Sequence, residues 1–203
     1  MTARLFTGES VFDGFRNRFM AVLISMLRGV NLGPHNRIKM DALRAVYESL
    51  KLEGPRSYLQ SGNVIFRTKE KNSPQLARKI QDAIGKKLGC CPDVILRTTD
   101  EMRKAIAANP FPDRVKTEPG KVLLTFLSEK PPREAEANLN NLKGFPEELH
   151  LQGRELYIYF PNGAGQSKLP WSAVNRLLQV TGTARNWNSV LAVLEIAEEM
   201  EAQ

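Results

Sequence analysis

The chain has 203 residues, which is enough for one α/β domain or for two small domains of about 90 residues each. Hydrophobic residues make up 42% and charged residues 25% of the sequence, values that exclude a disordered or fibrous chain. The formal net charge of +7 permits a partner that carries phosphate groups or nucleic acid but does not identify one.

The N-terminal stretch, residues 1–19, is predicted to be a loosely held extension. The apolar run from Phe19 to Leu27 is too short for a membrane-spanning helix, which needs about 20 residues. Arginines precede this run, but no small-residue cleavage site follows it, and Glu9 and Asp13 argue against a transit peptide. Met20 is therefore a candidate natural start.

The first half of the chain predicts the order β-α-β-β-α-β followed by a short helix. Apolar residues three and four apart predict helices, short apolar runs predict strands, and Gly, Asn and Pro mark the turns between them. The segments are a strand over 21–27, a helix marked by Met40, Leu43, Val46, Tyr47 and Leu50, a hairpin of RSYLQ and VIFRT, a helix opening at Ser73-Pro74, a strand over 92–98, and a helix with a capping box from Thr98 to Glu101.

The second half repeats that order. Its segments are a strand over 121–127, a helix in PREAEANLNNL, a hairpin of LHL and ELYIYF around Gln152-Gly153, a helix marked by Trp171, Val174, Leu177 and Leu178, a short edge strand in TGTA, and a last helix marked by Val190, Val193, Leu194 and Ala197. A repeated βαββαβ order is typical of ferredoxin-like domains.

The sequence therefore predicts an α+β protein of two ferredoxin-like units, each with an antiparallel sheet that carries helices on one face. The stretch from Pro110 to Lys121 holds three prolines and is the natural boundary between them. We expect an extension over 1–19, a first unit over 20–112 and a second unit over 113–203.

The positive charge belongs to the first unit. Residues 20–110 hold sixteen basic and eight acidic side chains, a net charge of +8, whereas residues 111–203 carry a net charge of −2. Most of these charges are expected on solvated faces, and the alternative is that one face of the first unit attracts anions.

The predicted topology decides which loops share an end of a sheet. In the first unit the strand-to-helix loop 28–36 and the turn 60–63 lie at the same end, and in the second unit the loops 161–168 and 185–188 do. Both pairs of loops are rich in Gly, Asn and Arg or Lys. Whether the two pairs face each other is left open.

The first loop holds candidate ligands for an anion. Arg28 follows a buried strand, and its guanidinium could hold a carboxylate or phosphate in two-point contact. Asn31 would orient the ligand, and Lys39 stands at the start of a helix, where an anion is also favoured. The alternative is that Arg28 pairs with an acidic side chain or loop carbonyls and that Asn31 makes a turn.

The turn Gln60-Ser61-Gly62-Asn63 adds Gln60, Ser61 and Asn63 as candidates. It is first of all a hairpin turn, in which Gly62 supplies a positive φ. A nucleophilic Ser61 would need an adjacent base, and none is visible in the sequence.

In the second unit the string PNGAGQSKL places Asn162, Ser167 and Lys168 before a helix. Glycines, free amides and an ammonium suit a phosphate or carboxylate, although the string is not a Walker A loop. The alternative is a turn in which Ser167 or a neighbour caps the helix and Lys168 is solvated.

The string Arg185-Asn186-Trp187-Asn188 supplies the last candidates, Arg185 and Asn186. Arg185 could meet a phosphate while Trp187 stacks a base. The alternative, favoured for the tryptophan, is a helix start in which Asn188 is the cap and Trp187 packs between the units.

Several strings together resemble the bacterial domain of unknown function 1697 family. They are MLRGVN, YLQSGNVIF, ANPFPD, PNGAGQSKL and TARNWN, and the similarity runs from about Met20 to the last helix. The resemblance implies an α+β, ferredoxin-like fold in two units and no established activity. Pro34-His35 and Pro170-Trp171 depart from the family pattern.

No metal site or cofactor is predicted. His35 and His150 have no second ligand at metal-binding spacing, and the adjacent Cys90 and Cys91 indicate buried packing. Two cysteines without an export signal favour the reducing cytoplasm.

Three classes of function stay open. The preferred one is a protein that binds a phosphate-bearing or other anionic small molecule, of nucleotide type, with catalysis undecided. The second is a nucleic-acid-binding module, although the strands lack an RNP1 aromatic pair because Phe66 stands alone in VIFRT. The third is a regulatory or structural protein whose loops stabilise an interface between the units. No membrane partner is expected, and the oligomeric state is open.

Overall fold

The computed structural model describes residues 20–31, 37–70 and 73–203. The N-terminal stretch 1–19 and the loop positions 32–36, which include His35, lie outside the described residues. The helices and strands follow the predicted order, with two additional short helical segments in the linker and a 3-10 turn in the second half. They are β1 (Ala21–Leu27), α1 (Met40–Ser49), β2 (Glu53–Tyr58), β3 (Asn63–Thr68), α2 (Ser73–Leu88), β4 (Val94–Thr98), α3 (Thr99–Ala107), α4 (Pro112–Thr117), a 3-10 turn (Pro119–Lys121), β5 (Val122–Leu127), α5 (Ala135–Asn140), β6 (Glu148–Gln152), β7 (Glu155–Tyr159), a 3-10 turn (Ala164–Gln166), α6 (Trp171–Leu178), β8 (Gly182–Asn186) and α7 (Trp187–Ala202).

Each half of the chain forms one four-stranded sheet in which every neighbouring pair of strands is antiparallel. The strand orders are β2-β3-β1-β4 and β6-β7-β5-β8. The central strands β1 and β5 are short, apolar and almost wholly buried, because neighbouring strands and packed faces surround them on every side. The protein is therefore α+β, with one sheet from each half.

The two faces of the first sheet pack against different partners. In β1, Leu23 and Leu27 join the core under α1 and α2, whereas Val22, Ile24 and Met26 point to the opposite face because side chains alternate along a strand. The second sheet repeats this, with α5 and α6 on its outer face.

The inner faces of both sheets share one core with α3 and α7. Val22, Ile24 and Ile95 of the first sheet belong to the same cluster as Leu124 and Tyr157 of the second. Helices on one face were expected, and the extra helices instead cover the second face of each sheet. The reason is that each inner face is apolar and needs a partner, which the other half of the chain supplies.

Local signals set the start of the two inner helices. Thr98 accepts a hydrogen bond from the Glu101 amide, and the Glu101 carboxylate accepts one from the Thr98 amide, so the predicted capping box is confirmed. The prediction that Asn188 caps α7 is wrong. The cap is Asn186, whose Oδ1 accepts from the Asn188 amide at 3.0 Å, because β8 leads directly into the helix.

The two sheets repeat each other in strand register. Ile24 pairs with Arg97 in the first sheet as Leu124 pairs with Arg185 in the second. In the same way Met26 pairs with Asn63, and Phe126 pairs with Glu155. These pairs make Arg185 the equivalent of Arg97 and Glu155 the equivalent of Asn63.

Over the described ranges, no helix combines the length and apolar character that crossing a membrane requires.

Candidate functional site

An open cleft of about 890 Å³ separates the loops at one end of the first sheet from the edge strand β8 of the second sheet. We call it the Arg185 cleft. Its lining residues are Leu27–Asn31, Leu59–Ser61, Cys91–Asp93, Gly182–Asn186 and Ser189. The structure thus brings six sequence-predicted residues to a single place, two each from the first loop, the first hairpin turn and β8: Arg28, Asn31, Gln60, Ser61, Arg185 and Asn186.

Asn31 fixes the first loop to the hairpin that forms the opposite wall. Its Nδ2 donates to the Gln60 carbonyl at 2.6 Å, and its Oδ1 accepts from the Ile38 amide at 2.7 Å. Asn31 has a φ of 57°, a left-handed conformation that asparagine tolerates better than most residues. The side chain therefore acts as a structural tie in the wall of the cleft.

The hairpin turn has the geometry that its sequence predicts. Gly62 has a φ of 72°, and its carbonyl accepts from the Leu27 amide at 2.9 Å. Ser61 donates to the Tyr58 carbonyl at 3.3 Å and accepts from Asn63 Nδ2 at 2.8 Å. These bonds pair Ser61 with no general base.

Arg185 is 9% exposed and lies at the wall of the cleft. Its Nε donates to Asn63 Oδ1 at 2.6 Å and its Nη2 to the Leu27 carbonyl at 2.8 Å. Its Nη1 donates to Thr183 Oγ1 at 2.7 Å and to the Ala184 carbonyl at 2.8 Å. These bonds occupy four of the five N–H groups of a guanidinium, and every acceptor is neutral.

The charge of Arg185 is uncompensated among the described residues. No ion pair joins its guanidinium to a carboxylate in the described part of the chain. Burial lowers the pKa of Arg185 to about 10, because the charged form loses its hydration.

Arg97, the equivalent residue in the first sheet, makes the reciprocal contacts and has a carboxylate. Its Nη2 donates to the Leu127 carbonyl at 2.8 Å, and its Nε pairs with Glu155 at 3.0 Å. Burial lowers the pKa of Arg97, while the Glu155 carboxylate acts in the opposite direction. The two arginines therefore join the sheets by equivalent hydrogen bonds. They differ in one partner, which is the Glu155 carboxylate for Arg97 and the neutral Asn63 amide for Arg185.

A second cleft of about 550 Å³ runs along β4 and corresponds to the first by the repeat. It is lined in part by Asp93–Arg97, Ser128, Glu129, Arg154 and Gln179–Thr181. Its buried arginine is neutralised from within the chain. The Arg185 cleft is the one of this pair whose buried cation lacks a carboxylate.

Arg28 at the rim pairs with an acidic side chain, as one of the two alternatives expected. Its Nη1 lies 3.2 Å from Asp93 Oδ2, and the two side chains are 47% and 39% exposed. An exposed pair of this kind is weak. Both of its members line the cleft, so the entrance carries a cation and a carboxylate side by side.

Four predicted residues lie away from the Arg185 cleft. Lys39 is exposed before α1, and Asn162 and Lys168 are exposed on the loop between β7 and α6. Ser167 Oγ accepts from the Leu169 amide at 3.1 Å, so it stabilises the turn before α6 and not the first turn of that helix.

Two aromatic residues considered for base stacking are buried. Trp187 is 4% exposed in the core between the sheets, which confirms the packing alternative. Phe66 is fully buried against α1 and α2. The stacking part of the nucleic-acid hypothesis has no support from either residue.

Sequence reasoning missed Arg97, Glu155 and Thr183. A residue-by-residue alignment of the two halves would have found Arg97, since ILRT and TARN hold an arginine at the same place before a helix. Thr183 carries no signal of its own in the sequence.

Across residues 20–31, 37–70 and 73–203 no three or more His, Cys, Asp or Glu side chains come together in a group that could hold a metal ion.

The sequence matches the family described as "Protein of unknown function (DUF1697)" over residues 20–157. The chain belongs to this family. The DUF1697 match includes Arg28, Asn63, Arg97 and Glu155 and ends before β8.

A solved structure, "The structure of conserved bacterial protein SP0830 from Streptococcus pneumoniae", is similar in fold. It is 19% identical, with a TM-score of 0.70 over 88% of this chain and 99% of that chain. This likeness shows a shared α+β fold. No curated protein matches the chain.

Proposed function

We propose that this DUF1697 protein binds an anionic ligand, a phosphate- or carboxylate-bearing molecule, in the Arg185 cleft. The observation that carries the proposal is that the two equivalent arginines, Arg97 and Arg185, have partners of different charge. Arg97 faces Glu155 at 3.0 Å, whereas Arg185 faces the neutral amide of Asn63 at 2.6 Å. A buried cation without a counter-ion costs free energy, and an anion in the adjoining cleft would recover part of it.

The donors at the cleft suit such an anion. One N–H of Arg185 Nη2 has no acceptor among the hydrogen bonds described above, and Arg28 stands at the rim in its exposed pair with Asp93. Charge-assisted hydrogen bonds to carboxylate or phosphate are about twice as strong as neutral ones. The proposal assigns binding and no reaction, because no base lies beside Ser61 among the described residues.

The proposed architecture for this site is a pair of ferredoxin-like units, 20–112 and 113–203. Two features support it: the strand order 2-3-1-4 repeated in both sheets, and the βαββαβ order of elements. The Arg185 cleft then belongs to neither unit alone, since its walls come from both.

The experiment exchanges the partners of the two arginines. Asn63→Asp supplies Arg185 with an internal carboxylate, and Glu155→Gln removes the one beside Arg97. We expect Asn63→Asp to raise the melting temperature without added ligand and to abolish the further rise that phosphate, sulfate or citrate gives the parent protein. We expect Glu155→Gln to lower the melting temperature and to add an anion-dependent recovery.

Lys168→Ala is the matched control, because it lowers the net charge by one, as Asn63→Asp does, at an exposed position outside the cleft. Its anion response should equal that of the parent. The proposal fails if no anion shifts the parent melting temperature, or if Asn63→Asp and Lys168→Ala reduce the response equally.

A further inference from the structure

The open edge of β8 forms one wall of the Arg185 cleft. All five residues of the strand, Gly182–Asn186, line the cleft. Among the strands of the described residues, β8 is the terminal one of its sheet and pairs with β5 alone. An edge strand presents unpaired N–H and C=O groups to whatever lies beside it.

The register of the ladder identifies those groups. The Ser128 amide donates to the Thr181 carbonyl at 2.8 Å, and these two residues continue the pairing of β5 with β8. Because hydrogen-bonded and non-hydrogen-bonded pairs alternate, Thr183 and Arg185 turn their N–H groups toward β5. Gly182, Ala184 and Asn186 therefore turn theirs toward the cleft.

The Arg185 guanidinium reaches that same edge. Its Nη1 donates to the carbonyl of Ala184, one of the outward-facing groups. The opposite rim carries Leu59, which is 62% exposed and has a φ of 52°, so an apolar side chain is held open to solvent beside the cleft. The cleft thus combines a strand edge, a buried cation and an apolar contact.

We propose that an extended acidic peptide segment binds in the Arg185 cleft as an added strand on β8, with one of its carboxylates against Arg185. This inference rests on the proposed anion site and names its ligand as a peptide chain. Main-chain hydrogen bonds to an exposed strand edge supply affinity in this mode of recognition, and side-chain contacts supply specificity. Arg185 selects the carboxylate, and Leu59 contacts an apolar neighbour.

Charge favours an acidic peptide over a second copy of the chain, and it favours the edge of β8 over the edge of β4. A second copy of the chain paired through β8 would bring two Arg185 cations close together without a carboxylate between them. The edge of β4 is the equivalent strand edge, but Glu155 already neutralises its arginine.

The test uses a fluorescein-labelled heptapeptide, Thr-Val-Glu-Val-Glu-Val-Thr, and fluorescence anisotropy. Replacing both glutamates by glutamine should weaken binding at least tenfold. Two further peptides carry N-methyl groups on one or the other alternate set of amides. Methylation of one set should weaken binding at least tenfold and that of the other set less than about threefold, because alternate amides of a strand face opposite edges.

Ala184→Pro removes one outward N–H of β8 at a position where an edge strand tolerates proline, and Ala184→Thr is the matched control that keeps it. The loss of one hydrogen bond predicts about fivefold weaker binding for the proline variant and little change for the threonine variant. If the proline variant does not fold, the methylated peptides still decide the outcome on the parent protein.

The outcomes separate the two proposals. Stabilisation by phosphate or citrate without any peptide binding overturns the added strand and leaves the anion site standing. Equal binding of both methylated peptides, or of the glutamine peptide, also overturns it. Oligomerisation that Ala184→Pro abolishes would assign the edge to a second copy. If neither peptide nor anion binds, both proposals are wrong.

Discussion

Gly62 shows how closely the wall of the Arg185 cleft is packed. Its φ is 72°, and an added Cβ would lie 2.5 Å from Val30 Cγ2 and 2.9 Å from Leu27 Cβ. Gly62→Ala therefore adds both a left-handed alanine and a steric clash. We expect it to lower the free energy of unfolding by about 2–4 kcal/mol, measured by urea denaturation.

Gly153 is the matched control for this substitution. It lies in the equivalent hairpin of the second sheet with a φ of 61°, and its nearest contact for a Cβ is Glu155 at 3.7 Å. Gly153→Ala should cost about 1 kcal/mol, from the backbone conformation alone. If both variants lowered the free energy of unfolding equally, the steric contact of the new Cβ with Val30 and Leu27 would contribute nothing, and the expectation would be wrong.

Single residues differ in how far the sequence predicts their role. The turn at Gly62 could be predicted because its cause is local, a glycine between two strand segments. The partner of Arg185 could not be predicted, because Asn63 is far away along the chain and a hydrogen bond between two side chains leaves no periodic pattern in the sequence. The arginine was identified as a candidate, and its acceptors came from the tertiary structure.

At the scale of elements, the linker is more ordered than its proline content predicts. Pro112–Thr117 forms α4, and Phe111 and Val115 pack against the shared core. Proline at a first helical position supports a helix, so the same residues that mark a boundary also start an element. The strands and long helices were predictable because each has its own apolar pattern, whereas α4 is too short to have one.

Glu118 at the end of this linker predicts an acid-sensitive contact. Hydrogen bonds from Lys121 and then from the Tyr159 hydroxyl lower the pKa of its carboxyl below the usual 4.5. A lowered native pKa stabilises the fold above the unfolded value, and this contribution disappears as the pH falls through the native value. Glu118→Gln should therefore lower the melting temperature at pH 7, and the difference from the parent should shrink below about pH 4.5.

Melting curves of both proteins between pH 3 and pH 8 test this expectation. The remaining carboxylates titrate in both proteins, so their contribution cancels in the difference. A difference that stays constant across this range would mean that the glutamate acts through packing and not through its charge.

At the scale of the whole molecule, the two halves complete each other. Each inner sheet face is covered by a core to which both halves contribute, and Arg97 and Arg185 each donate to a carbonyl at the end of a strand in the other half. The repeat in the sequence predicted two similar units, but it did not predict that the halves share a core and that each binds an arginine of the other. The apolar pattern of each half predicts only the strands and helices of that half. The cleft exists because of these contacts between the halves, since Arg185 of β8 donates to a carbonyl of the first sheet and so keeps β8 beside it.

This arrangement predicts that the halves do not fold independently. A fragment of residues 20–112 would expose the apolar inner face of its sheet, including Val22, Ile24 and Ile95, and would leave Arg97 without Glu155. Exposure of a packed apolar face costs about 25 cal/mol per Å², which a domain of this size has little stability to offset.

The intact chain should unfold in one transition with coincident fluorescence and circular dichroism curves. The separate fragment should show no cooperative transition, and co-expression with residues 113–203 should restore one. A fragment that melts cooperatively at its own midpoint would contradict the shared core as the source of stability.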